Sequence, residues 1–139
     1  MNERLLYIWL LVLVVLAVAC SKGARARKME VELEAIVNRD VRIGESRAEV
    51  EAFIDRLVID GKKPKRNPYQ EGLSRLGTGP DMPYKPETNL PKIKGYVLAD
   101  FGVVDSDYRV MYNVLLHALF FFDEQDRLVE SHVERAFRN

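Results

Sequence analysis

The only thiol in this chain of 139 residues is Cys20, and its setting points to processing rather than catalysis. A short charged start (Glu3, Arg4) precedes an apolar run beginning at Leu5, and the small residues Ala17 and Ala19 stand just before the cysteine. Small side chains fit a peptidase's subsites, so the arrangement predicts a bacterial secretion signal over residues 1–19, cut to leave Cys20 first. The run falls short of the roughly 20 apolar residues that span a bilayer, which suits a signal core, with an uncleaved tilted anchor as the alternative. The other candidates for chemistry are His117 and His132, the only histidines. A strand register that keeps apolar residues together sets them opposite each other on an outer sheet face. Two imidazoles hold a metal weakly, because zinc sites take three or four protein ligands. Glu130 and Glu134 are the sole supplements, so no metal ligand set is expected. Ser131 beside His132 makes no triad, since adjacent strand residues point to opposite faces. Without a phosphate-cradling glycine loop either, the chain is expected to be no enzyme and to carry no cofactor.

Ala17-Val18-Ala19-Cys20 resembles the lipobox of bacterial lipoproteins. The resemblance implies a diacylglycerol on Cys20 through a thioether and an acylated amino group, with palmitate-type chains worth about 0.8 kcal/mol per buried methylene. Ser21 follows, where lipoproteins kept at the inner membrane often carry Asp, so the outer membrane is the expected address, with the domain facing the periplasm.

Lys and Arg number 21 against 21 Asp and Glu. No net field recruits nucleic acid, and none is expected as a partner. The length beyond residue 19 suits one small domain with its own core. A lone, modified cysteine leaves no disulfide, so packing must stabilise the domain. Residues 20–26 read as a lipid-anchored linker, and Lys22, Arg25, Arg27 and Lys28 could hold it to anionic headgroups at about 1 kcal/mol each. The domain is expected over 27–139.

Leu33, Ile36 and Val37 predict a helix over 27–38. Ser46 and Glu49 form a capping-box pattern before Val50, Phe53, Ile54, Leu57 and Val58, which predicts a helix from Arg47 to about Ile59, ended by Gly61. All six prolines lie in 61–91, a Pro/Gly-rich loop that carries Lys62, Lys63, Lys65 and Arg66 with Tyr69 and Tyr84. From Ile93 the period becomes two. Val110, Tyr112, Val114, Leu116, Ala118, Phe120 and Phe122 are the expected core face of one strand. A strand over 93–104 turns onto it at Asp105-Ser106-Asp107, setting Val97, Ala99 and Phe101 on the core. A last strand over 127–137 pairs Phe122 with Arg127, Phe120 with Val129, Leu116 with Val133 and Tyr112 with Phe137 across a loop of two or four residues. The expected fold is α+β, two helices followed by a three-stranded antiparallel meander.

That register leaves Met111, Leu115, Leu119, Phe121 and Leu128 on the outer sheet face. Such an apolar strip is either a partner-binding surface or is covered by Leu73, Leu76, Tyr69 and Tyr84 of the loop. With the basic cluster of Lys62, Lys63, Lys65 and Arg66 it makes up the candidate partner-binding residues.

Gly44-Glu45-Ser46-Arg47-Ala48-Glu49-Val50 and the ending Phe120-Phe121-Phe122-Asp123-Glu124-Gln125-Asp126-Arg127-Leu128-Val129 resemble the SmpA/OmlA family, small lipoproteins of the outer-membrane β-barrel assembly machinery. The resemblance implies an ααβββ fold, shared with β-lactamase-inhibitor proteins, and a non-catalytic binding or scaffolding role in envelope assembly through a protein partner. The alternatives are an inhibitor-type module that binds an envelope hydrolase and a weak metal-binding domain.

Overall fold

The computed structural model of the protein describes residues 3–21, 23–73, 76, 92–107 and 112–138. Their order is α1 (Glu3–Ser21), α2 (Ala24–Asp40), α3 (Arg47–Arg56), β1 (Lys65–Arg66), β2 (Gln70–Glu71), β3 (Gly95–Asp107), β4 (Tyr112–Phe122) and β5 (Leu128–Arg138). The class is α+β with an antiparallel sheet.

In α2 the residues Ala26, Met29, Leu33 and Val37 recur at three and four and form one buried stripe. The helix starts at Ala24, inside the stretch expected as linker, because Ala26 is fully buried and its N–H donates to the Asp105 carboxylate at 3.3 Å. The expected capping box opens α3: the Ser46 hydroxyl accepts from the Glu49 N–H, and Glu49 accepts from the Ser46 N–H at 2.8 Å. Ser46→Ala should therefore destabilise the domain by about 1 kcal/mol in denaturant melts, with Ala48→Ser, on the exposed face, as the neutral control. The helix ends at Arg56 rather than near Ile59, since Leu57 is extended. Gly61 is not its terminator. Asp60 and Gly61 both take positive φ (50° and 72°) and make a two-residue hairpin turn, across which Ile59 and Lys62 exchange backbone hydrogen bonds. Asp-Gly favours this turn because neither residue pays heavily for the left-handed region.

Among the described residues the sheet has five strands, not three. The start of the expected loop supplies β1 and β2, both along the outer edge of β3 (Lys65 opposite Asp100, Gln70 opposite Tyr96). A side chain at Gly95 would collide with the Gln70 carbonyl and the Tyr69 ring, so only hydrogen lets β2 approach there. Asp105 and Ser106 do not turn; β3 runs on to Asp107, paired with Tyr112. The connection, with Val110 and Met111, lies outside the described residues, as do Tyr84 and most of 61–91 beyond Leu73.

The register of β4 with β5 is two residues from the expected one. Phe122 faces Leu128, Phe120 faces Ser131, Leu116 faces Arg135 and Val114 faces Phe137. The connection is longer than expected: residues 123–127 form a turn in which the Asp123 carboxylate accepts from the N–H groups of Gln125 and Arg127. Asp126 sits at φ 55°, and a bulge follows between Phe121 and Phe122. The bulge changes the parity only at the start of β5, so Leu128 joins the inner core and Val129 moves to the outer face, while Val133 stays against the inner core as expected.

The core faces are those the period predicts, except that Tyr112 and Phe137, at the strand ends, are exposed. Val97, Ala99 and Phe101 of β3 and Val114, Leu116, Ala118, Phe120 and Phe122 of β4 pack with α2 and α3, and the Phe53 ring meets Phe120 edge-on. On the opposite face Tyr96, Leu98, Leu119 and Phe121 form a second buried cluster with Leu73, Leu76 and Ile93.

Candidate functional site

The outer strip is not an open surface. Leu115, Leu119, Phe121 and Leu128 are each 6% exposed or less. Leu73 and Leu76 pack with Leu119 and Phe121, as in the covered alternative, whereas Tyr69 packs elsewhere. Its ring lies against Phe122, under the Arg47 guanidinium at 4.3 Å. Met111 lies outside the described residues.

The basic cluster is divided by its surroundings. The Lys62 ammonium donates to the Val103 carbonyl at 2.6 Å, and Arg66 pairs with Asp55 (2.8 Å) and Glu51 (3.6 Å) on α3. The Arg66 pairs staple β1 to α3, the Lys62 contact ties the turn before β1 to β3, and Lys63 and Lys65 remain exposed. Arg25, expected at the headgroups, pairs with Asp60 at 3.0 Å.

The two histidines are not opposite each other. His117 faces Asp100 on one side and Glu134 on the other, while His132 pairs with Leu119. Three ionisable side chains thus stand in a row across β3, β4 and β5. The His117 Nε2–H donates to Asp100 Oδ1 at 3.3 Å, and Nδ1 lies 3.9 Å from Glu134 Oε1, close enough for attraction but too far for a hydrogen bond. His132 Nε2 is 3.8 Å from the other Glu134 oxygen. Burial opposes the His117 imidazolium, but the Asp100 hydrogen bond and the Glu134 carboxylate outweigh it and raise its pKa to about 9. Asp100 is held below the usual carboxylate range by the same bond, against its own burial and helped by the Gly102 N–H. A protonated imidazole between two carboxylates is an ion network that crosslinks three strands. It offers no lone pair for a metal, and among the described residues no group of three or more His, Cys, Asp or Glu is placed to hold one.

The groove between the two domain helices was not singled out in the sequence. It has a volume of about 460 Å3. Ile36 and Asp40 line it from α2, Glu45 from the connection, and Glu49, Phe53 and Arg56 from α3, with Leu57 and Val58 beyond. Positions 49, 53 and 56 follow the three-four spacing of one helical face, but only Phe53 among them is apolar, so this flank carries no apolar stripe of its own. Its size lies in the range of about 300–1,000 Å3 usual for ligand clefts, and it joins an apolar floor to a few polar groups.

Every described side chain of α1 from Glu3 to Ala17 is exposed, including Trp9 and the whole Leu5–Leu16 stretch. A helix apolar on all sides belongs among apolar neighbours rather than in water. Cys20 lies in its last turn. No helix among the described residues is long and apolar enough to cross a membrane.

No protein-family model matches the chain, and neither does any curated protein or solved structure.

Proposed function

We propose that the chain is an envelope lipoprotein, held to the outer membrane by lipid on Cys20, whose periplasmic domain binds or scaffolds a protein partner without catalysis. The observation that carries this reading is α1, a helix with no polar face that leads directly to the only cysteine behind Ala17 and Ala19. Such surface is costly in water and is explained by removal with the signal or by insertion into lipid. The SmpA/OmlA-like reading adds the finer layout: α2 and α3 stand for its two helices, β3, β4 and β5 for its meander, and the capping box of Ser46 and Glu49 for its helix start. On this reading β1 and β2 are additions to the edge of the meander.

Cys20→Ser should abolish acyl labelling in cells and leave an unprocessed precursor. Intact mass of the wild type should show loss of residues 1–19 and gain of lipid. A wild-type mass with residues 1–19 present and no lipid would overturn the anchoring. Partner capture is read separately, by crosslinking in intact envelopes followed by denaturing purification.

A further inference from the structure

We propose that the end of the domain next to the anchor is a bilayer-docking surface, on which the Tyr112 and Phe137 rings, flanked by Arg27, Lys28, Lys63 and Arg138, seat among the anionic headgroups of the anchoring leaflet. The proposal rests on the reading of Cys20 as the membrane attachment and names the part of the domain that meets the bilayer.

Continuity with the anchor carries the choice of occupant. Ala24, where α2 begins, is four positions from Cys20. Fully extended, that stretch spans at most about 14 Å. The start of α2 is thus confined to the neighbourhood of the headgroups, by lipid on Cys20 or by α1 itself. Side chains on a helix lean toward its N-terminus, so the exposed Arg27 and Lys28 lean back toward the anchor. Three strands and a turn end at the same level. The Ala26 N–H donates to Asp105, Asp105 pairs with Val114, and Val114 pairs with Phe137. The Asp60–Gly61 turn joins them through the Arg25–Asp60 ion pair and the Lys62 bond to the Val103 carbonyl.

The apolar part is built from two strand ends. Phe137 stands opposite Val114 of the inner core, and Tyr112 lies two residues before Val114, so both rings are on the helix side of the sheet as diagonal neighbours. Ala26 is the first buried residue of α2, and beyond it nothing among the described residues covers the rings, which are 51% and 37% exposed. An apolar ring and a ring with a polar tip suit the boundary between headgroups and acyl chains.

The charge at this end is positive once its pairs are set aside. Arg25 is cancelled by Asp60, and Arg135, two residues further in than Phe137, by Glu30. What remains among the described residues is Arg27, Lys28, Lys63 and Arg138, with Lys62 bonded only to a carbonyl, against Asp105 and Asp107. The next acid along α2, Glu32, is a rise of about 12 Å beyond Ala24. Five cations against two acids favour an anionic surface, and exposed apolar rings within the basic ring add to the attraction.

The test uses the full isotope-labelled chain, purified from envelopes with its anchor and placed in lipid nanodiscs that carry a spin label on the headgroup. In discs of phosphatidylcholine with phosphatidylglycerol, the amides of Lys28, Lys63, Tyr112 and Phe137 should broaden strongly. Those of Gly44 and Asp126, beyond the far end of α2 and thus about 26 Å away, should not. The contrast should collapse in discs of phosphatidylcholine alone. Lys28→Gln and Lys63→Gln should each lower the ratio of seated to free domains about fivefold, and Phe137→Ser should lower it too. Resonances of the inner core should stay in place in all three variants and report an intact fold. Equal broadening at both ends, broadening centred on another surface, or the same contrast without anionic lipid would overturn the proposal. So would crosslinks from a photoreactive residue at position 137 to a protein rather than to lipid in intact envelopes. Co-elution of the chain with the discs reads the anchor separately, so a chain that co-elutes but broadens evenly refutes the seating and leaves the lipoprotein reading intact.

Discussion

Phe120→Ala and Phe121→Ala should each destabilise the domain by about 3–5 kcal/mol, although they point to opposite faces of the sheet. Both rings are fully buried. Phe120 packs under α2 and α3 and meets Phe53 edge-on at 6.3 Å, whereas Phe121 meets the Tyr96 ring at 6.2 Å within the second cluster. Removing either ring loses its transfer free energy and leaves a cavity among side chains fixed on neighbouring strands, which cannot collapse freely. The two variants separate the layers. Phe120→Ala should loosen the helices, seen as faster hydrogen exchange in α3, and Phe121→Ala should expose Leu119 and Leu98 and speed exchange at their amides. Urea melts give the magnitudes. A cost for Phe121→Ala within about 0.5 kcal/mol of zero, the range of ordinary surface changes, would mean that the outer strip is an open surface after all.

The parts of this fold legible in the sequence are those set by local chemistry. The capping box fixed the start of α3 to the residue, and period-two alternation assigned Val97, Ala99, Phe101 and the even positions of β4 from Val114 to Phe122 to the helix side. Errors arose where a non-local partner decided. The two-residue error in the β5 register came from pairing apolar with apolar residues, a rule that holds when only one sheet face is buried. Here both faces of β4 are buried, so Phe121 and Leu119 impose no polarity. The Asp123 side chain organises a longer turn with Asp126 in the left-handed region, and the bulge beside Phe122 sends Leu128 inward. The same error hid the ion row, since a shift by two replaces His132 with Glu134 opposite His117. The edge strands β1 and β2 were illegible because Pro64 and Pro68 flank segments of only two residues, and their pairing depends on the bare backbone of Gly95. The groove was visible only as polar residues on α3, whose neighbours on α2 come from packing rather than spacing.

The domain should lose about 3 kcal/mol of stability as pH rises from 6.5 to beyond 9, through His117 alone. Its ordinary pKa is 6.5, and in the fold it stands at about 9. The native state therefore holds a proton that the unfolded chain releases first. The stabilisation is complete below 6.5, declines between 6.5 and 9, and is gone above the folded value. Asp100 acts in the other direction: its folded pKa is depressed, so its contribution is present above the ordinary value of 3.8 and is lost as pH falls through the folded one. The row should thus be most stabilising between about 4 and 6.5. The titratable groups around His117 come from two neighbouring strands, Asp100 on β3 and Glu134 with His132 on β5, and Lys65 on β1 acts on Asp100 from the sheet edge. His117→Gln keeps a donor toward Asp100 but removes the cation, leaving Glu134 buried without it, and should cost about 3–5 kcal/mol at pH 6. Above pH 9 the gap between variant and wild type should narrow, because the wild type has by then lost its own proton. Thermal melts of both proteins from pH 5 to 10 decide the matter, and a wild-type profile flat between 6.5 and 9 would mean that His117 is neutral in the fold.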